Sequence, residues 1–404
     1  MREHRGFAPV RQAWQRRAEC LLRARQRRLF VNLHHSTRES RLPHALFALY
    51  VVAIAYASVQ PLGDWLRPIP DTPFWPFASG PLRTTQFDVV LNFLAYVPLG
   101  LFAALMPRRA TAIGCMVVAL VAGATLSFLM ESLQWYMPPR YANLIDFGAN
   151  SLGALAGGVL GALYGRSPLR PALRLARRRL VLPGAMGDVG LALLTMWLVA
   201  QLNPGIPPFA IAYEPESLQT LLAPACERDI AALLIESTQS AFQLLGVGLF
   251  VALLVRERRF AGGAILLLVG VALFIKGAAA LLLLKPAVFV SWLSPGVLLG
   301  VAGGALLLLP ASLLRRPIQV AVCAIALLSS LLIPMLAPDM MFASAPLTLF
   351  NWRYGHLLNF NGLTRIVLMA WPLLASLWLL FLAGRPGWGH ADVALPRAEP
   401  PDPI

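Results

Sequence analysis

The sequence predicts an all-α, polytopic membrane protein of about ten transmembrane helices, with both termini cytoplasmic. Three observations predict it. Hydrophobic residues make up 58% of the 404 residues and charged residues only 13%, with a mean hydropathy of +0.66. A soluble domain of this size carries about a quarter charged residues. The apolar excess lies in repeated runs of roughly 18–25 residues, long enough to cross a hydrocarbon core of ~30 Å. The segments between those runs alternate between basic and non-basic, which is the positive-inside pattern.

In chain order the spans fall at approximately 44–62, 88–106, 111–131, 145–164, 188–203, 232–254, 260–284, 296–314, 318–337 and 365–383. The seventh contains Lys276 and the ninth Pro334, so their boundaries are the least sharply marked. The run "AVFVSWL" (287–293) is too short to span and reads as an interfacial loop. Basic residues gather before the first span, at 108–109, 166–179, 256–259 and 315–316, and in the C-terminal tail. The opposite side holds Arg67, Arg83, Arg140, Arg228, Lys285, Arg353 and Arg365. A net charge of +15 arranged this way reports membrane topology and argues against a nucleic-acid partner. Residues 1–41 are Arg-rich and lack the short apolar run and cleavage site of a signal peptide. They read as a solvated cytoplasmic tail, with a basic helix on anionic lipid as the alternative.

Of the four cysteines, no two share a compartment outside the membrane, so no structural disulfide is expected. The sequence has no metal-ligand spacing, phosphate-cradling glycine loop, nucleophile elbow or dinucleotide fingerprint, and no cofactor is expected.

The stretch "ESLQWYMPPRYANLID" (131–146) joins the third and fourth spans on the outer side. Ser127, Glu131 and Gln134, at i, i+4 and i+7, share one face at the outer end of span three. Asp146 and Asn150 share a face at the outer start of span four, and Asp88 and Asn92 repeat the acid-then-amide pattern in span two. Gly153, Gly157, Gly161 and Gly165 form a small-residue ridge that permits close helix approach. Asp146 and Asn150 continue that ridge with a drift of about 40° per four-residue step, so they should face neighbouring helices, with Arg140 or the amides offsetting their burial. Two readings fit this cluster. Asp88 and Asp146 are placed to favour helix N-terminal dipoles, a purely structural role. Glu131, near a helix C-terminus, gains nothing from the dipole, and a ligand site accounts for it better.

These residues resemble the VanZ-like family of bacterial membrane proteins. The resemblance rests on "DVVLNFLAYVPLG", "SFLMESLQ" and "RYANLIDFGANSLGALAG", which supply Asp88, Asn92, Pro98, Gly100, Glu131, Gln134, Arg140, Asp146, Asn150 and Gly153 in the family's order. Some members carry a further Asp three residues after the Arg, where this chain has Asn143. The resemblance covers about residues 45–165 and implies a bacterial cytoplasmic (inner) membrane location. It also implies a link to resistance against the glycopeptide teicoplanin, and no particular reaction. The chain then divides into a basic cytoplasmic segment (1–43), a VanZ-like transmembrane domain (44–165), a basic cytoplasmic loop (166–187), a second transmembrane region (188–384) and a tail (385–404).

In the second region "ESTQ" (236–239) echoes "ESLQ" (131–134), and Glu236 and Gln239 are secondary candidates for the same polar cavity. The outer segment "LFNWRYGHLLNFNG" (349–362) offers Trp352 and His356 among aromatics and amides that suit a sugar, although an interfacial aromatic belt has the same composition.

Three functions are consistent with this pattern. The first is a non-enzymatic envelope factor whose outer-leaflet cavity binds a membrane lipid, a lipid-linked glycan or a glycopeptide. Its ligand-binding set is Asp88, Asn92, Ser127, Glu131, Gln134, Arg140, Asp146 and Asn150. The second is a membrane-embedded enzyme in which Glu131 with Asp146 or Asp88 divides acid and base roles. The third is a transporter or flippase, suggested by the five-plus-five span count and by Lys276.

Overall fold

A computed structural model describes residues 40–59, 74–75, 85–107, 110–137, 142–211, 225–290, 292–336 and 354–385. Eleven α-helices are found among them: α1 (Leu42–Val59), α2 (Gln86–Leu105), α3 (Ala112–Gln134), α4 (Leu144–Arg166), α5 (Leu169–Leu180), α6 (Ala185–Ala200), α7 (Ala225–Leu254), α8 (Ala261–Leu283), α9 (Pro295–Leu313), α10 (Arg316–Leu336) and α11 (Tyr354–Ala383). Among the described residues nine are long and apolar enough to span a membrane, and α6 is a shorter apolar helix. The all-α, multi-pass membrane architecture is as the hydropathy pattern requires.

The chain forms two bundles with separate cores. In the first, α4 is wedged between α2 and α3, and α1 lies against α2. The glycine ridge explains that wedge. A Cβ on Gly153 would sit 2.1 Å from the Phe93 carbonyl oxygen, and one on Gly157 would sit 2.0 Å from that of Val97. Only a residue without a side chain lets α4 approach the α2 backbone so closely. In the second bundle α7 is central, packed against α9 and α10, while α11 bridges α10 and α6. Its largely aliphatic core holds an aromatic cluster: Phe250 lies 5.4 Å from Trp371 and 4.7 Å from Trp378, ring centre to ring centre. The two indoles donate to backbone carbonyls of α6, Trp371 to Leu193 at 2.8 Å and Trp378 to Met186 at 2.9 Å. The bundles meet where α1 touches α6 and α11.

Several boundaries differ from the hydropathy reading, among them the start of the sixth span, expected at 232 and found at Ala225. The fifth span, expected over 188–203, is a helix only over Ala185–Ala200. Pro204, Pro207 and Pro208 then prevent helix continuation, and 201–211 runs as irregular chain that is buried except at Leu202. Buried irregular backbone needs internal partners, and distant helices supply them. Lys276 Nζ donates to the Asn203 and Ile206 carbonyls at 2.6 and 2.8 Å, and Gln239 Nε2 donates to that of Ile211 at 3.1 Å. The tenth span, expected to start at 365, begins at Tyr354, so part of the segment read as an external loop is helix. The basic stretch after span four, read as a loop, contains the amphipathic helix α5.

The basic connections lie together at one end. Val181 after α5 pairs antiparallel with Val255 after α7, and Arg316 donates to the Arg256 carbonyl at 2.9 Å. Near this end the bundles are fastened by Asp188. Its carboxylate, 4% exposed, accepts from Ser40 Oγ at 2.5 Å and from the Arg41 N–H at 2.8 Å, just before α1, and is ion-paired with Arg177 of α5. Arg177 is partly solvated, so breaking the pair should cost less than the ~3–5 kcal/mol of a fully buried one. Asp188→Asn is expected to destabilise the chain by about 2 kcal/mol. An unchanged thermal unfolding temperature in detergent would show that this fastening carries no stability.

Candidate functional site

At the end opposite the basic connections, each of three helices presents acid and amide groups, and local sequence positions them. Thr85 caps α2 in a reciprocal capping box. Its side chain accepts from the Asp88 N–H at 3.3 Å, while Asp88 Oδ2 accepts from Thr85 N and Oγ1 at 2.8 Å each. Asp88 therefore has the helix-capping role that its position suggested. Asn143 caps α4 by accepting from the Ile145 N–H at 2.9 Å, which leaves Asp146 in the first turn and Asn150 one turn deeper.

Glu131 lies in the last turns of α3 and is 4% exposed. A carboxylate there opposes the helix dipole, and the fold offsets this with a donor from outside the helix. The Asn143 backbone N–H reaches Glu131 Oε2 at 2.8 Å. A charge-assisted hydrogen bond of this kind is stronger than a neutral one. One turn deeper, Asn150 donates to Ser127 Oγ at 2.9 Å, and both side chains are buried. Gln134 ties α3 to α1 by donating to the Ser58 carbonyl at 3.0 Å. Trp75 is 2% exposed, packs on Phe128 and Phe147, and donates to Ser132 at 3.2 Å. Its indole thus sits between Phe128 of α3 and Phe147 of α4.

These groups open onto a cavity of about 1490 Å³ between the two bundles. Asp88, Asn92, Glu131, Gln134, Asn143, Asp146 and Asn150 line it from the first bundle. Ser127 stands behind Asn150, which it fixes. The facing wall, from α6 and α11, is apolar except for Thr195 and Thr364, and includes Met196, Val199, Leu363 and Val367. Lining residues run from Asp88 to Phe102 on α2 and from Phe360 to Leu374 on α11. At 1.5 Å per residue each is about 21 Å of helix. The result is a long apolar slot with a polar end, larger than the ~300–1,000 Å³ typical of sites for drug-sized ligands.

Of the remaining candidates, Arg140 and Trp352 lie outside the described residues, as does the side chain of His356. Glu236 and Gln239 are placed elsewhere. Glu236 accepts from Ser294 Oγ, the cap of α9, at 3.0 Å, and Gln239 holds the buried segment after α6. Among the described residues no His, Cys, Asp and Glu gather as a metal-holding group. Sequence reasoning missed Tyr50, Tyr56 and Tyr96, which line the same cavity. For Tyr96 a signal existed, because it extends the Asp88–Asn92 spacing by one more step of four.

Residues 28–164 match the model of the family described as VanZ/LLP1, a stretch that contains α1 to α3, all but the last two residues of α4, and the first bundle's polar side chains at the end of the cavity. No curated protein and no solved structure matches the chain.

Proposed function

We propose that this multi-pass membrane protein with a VanZ-like domain binds a lipid or a lipid-linked glycan in the cavity between its bundles. Through that binding it influences cell-surface composition or susceptibility to glycopeptides such as teicoplanin. The observation that carries this reading is the cavity's composition. An amphiphile needs a polar end for its headgroup and a continuous apolar wall for its chain, and the cavity joins the two over about 21 Å of helix. The positive-inside distribution supports an orientation in a bacterial inner membrane with the polar end in the outer leaflet and both termini cytoplasmic.

A second reading is enzymatic. Asp88, Glu131 and Asp146 line one cavity, and carboxylates in different environments can act as acid and base on a bound lipid or glycan. Transport has less support, because Lys276 is held by backbone carbonyls and is not among the cavity's lining residues.

Glu131→Gln separates the first two readings, since the amide oxygen still accepts from Asn143. Envelope lipids, cell-wall fragments and teicoplanin susceptibility are compared in cells lacking the protein, with wild type, and with Glu131→Gln at matched expression. Binding without catalysis gives the same chemical species in all three, in altered amounts, with the variant resembling the deletion. A discrete mass made only by wild type would replace this reading with the enzymatic one.

A further inference from the structure

The chain also carries a surface on its basic side that the cavity does not use. Helix α5, "LRPALRLARRRL", has five arginines and no acid. Leu169, Leu173 and Leu180, at i, i+4 and i+11, form one stripe and are 62, 55 and 38% exposed. Arg174 and Arg178 lie off that stripe on the opposite side of the helix, Arg179 flanks it, and all three are exposed. No residue of α5 is buried.

The helix is nonetheless fixed in place. Arg170 donates to the Gly165 carbonyl at 3.2 Å, and Arg177 is paired with buried Asp188. At its C-terminal end the Arg256 N–H donates to the Leu180 carbonyl at 2.8 Å, and the Leu182 N–H to that of Leu254 at 3.0 Å. The helix is thus held at the level where the spanning helices α4, α6 and α7 end. At that level an apolar stripe meets the boundary between headgroups and acyl chains.

We infer that α5 is an interfacial helix that seats its leucine stripe in the leaflet on the basic side and gathers anionic phospholipid headgroups with Arg174, Arg178 and Arg179. Charge selects the occupant. A helix of this composition repels basic surfaces and gains nothing specific from a zwitterionic headgroup, whereas each arginine near an anionic surface adds to binding. Arg179, at the flank of the stripe, is placed to lay its stem along the apolar boundary while its head reaches phosphate.

The full chain is reconstituted in phosphatidylcholine bilayers doped with spin-labelled phosphatidylglycerol or spin-labelled phosphatidylcholine, and the protein-bound fraction of each label is read by electron spin resonance. Wild type should hold the glycerol lipid over the choline lipid by roughly twofold or more, and this preference should shrink as salt is raised. The triple variant Arg174→Gln, Arg178→Gln, Arg179→Gln should bind the choline label as before and lose most of the preference. Equal binding of both labels by wild type, a preference that salt does not alter, or an undiminished preference in the triple variant would overturn the inference.

Discussion

Replacing Lys276 by Met is expected to destabilise the second bundle by about 2–6 kcal/mol, because two buried carbonyls each lose a donor at about 1–3 kcal/mol. The ammonium is fully buried and donates to Asn203 and Ile206 at 2.6 and 2.8 Å. Those carbonyls belong to the irregular stretch after α6, where no helix ladder can satisfy them. Met fills a similar volume and offers no hydrogen. Relief from burying a charge offsets part of the loss, which moves the expected effect toward the lower end of that range. The effect should extend to the cavity, since Asn203 also donates to Thr364 at 2.8 Å, and Thr364 lines the cavity wall. Thermal unfolding in detergent checks the stability, and a variant as stable as wild type would mean that Lys276 does not hold this segment.

The glycine ridge should be nearly as sensitive. A methyl at position 157 would stand 2.0 Å from the Val97 carbonyl oxygen and 2.6 Å from the Leu101 nitrogen. Both are helix backbone, so neither can rotate away as a side chain would. Gly157→Ala therefore has to push α4 off α2, at about 1–3 kcal/mol or more. The same shift would move Asn150 and Asp146 relative to Asn92 and weaken whatever they hold together. Gly165, on the same ridge, is the control. Its nearest neighbour would be an Arg170 nitrogen at 4.0 Å, so Gly165→Ala should be neutral, or stabilising by up to ~1 kcal/mol through helix propensity. Equal effects at the two positions would contradict the packing described.

The spanning helices were legible because twenty or so consecutive apolar residues have few other uses. The polar end of the cavity was legible for a different reason. Acids and amides spaced three or four residues apart in three apolar helices must share a face, and in α4 the glycine ridge shows which way that face turns. The irregular stretch after α6 was not legible in detail, because Lys276 lies 73 positions from Asn203 and 70 from Ile206, and Gln239 lies 28 from Ile211. Helix α5 was hidden by composition: an arginine cluster reads as a solvated loop, although Leu169 and Leu173 already show helical spacing. The apolar wall from α6 and α11 could not be told from any other lipid-facing surface. The resemblance of "ESTQ" to "ESLQ" pointed Glu236 towards the cavity, but neighbours and not local strings decide where a side chain goes. Ser294 holds it at the cap of α9.

The slot between the bundles is expected to hold an amphiphile. Native mass spectrometry of the full chain released from bacterial membranes tests it most directly, with Ala53→Trp and Ala370→Trp as variants that fill the slot from α1 and α11. Wild type is expected to retain a lipid or lipid-linked glycan of discrete mass, and the filled variants to fold and lose it. Wild type carrying no such mass, or filled variants retaining it undiminished, would contradict the account.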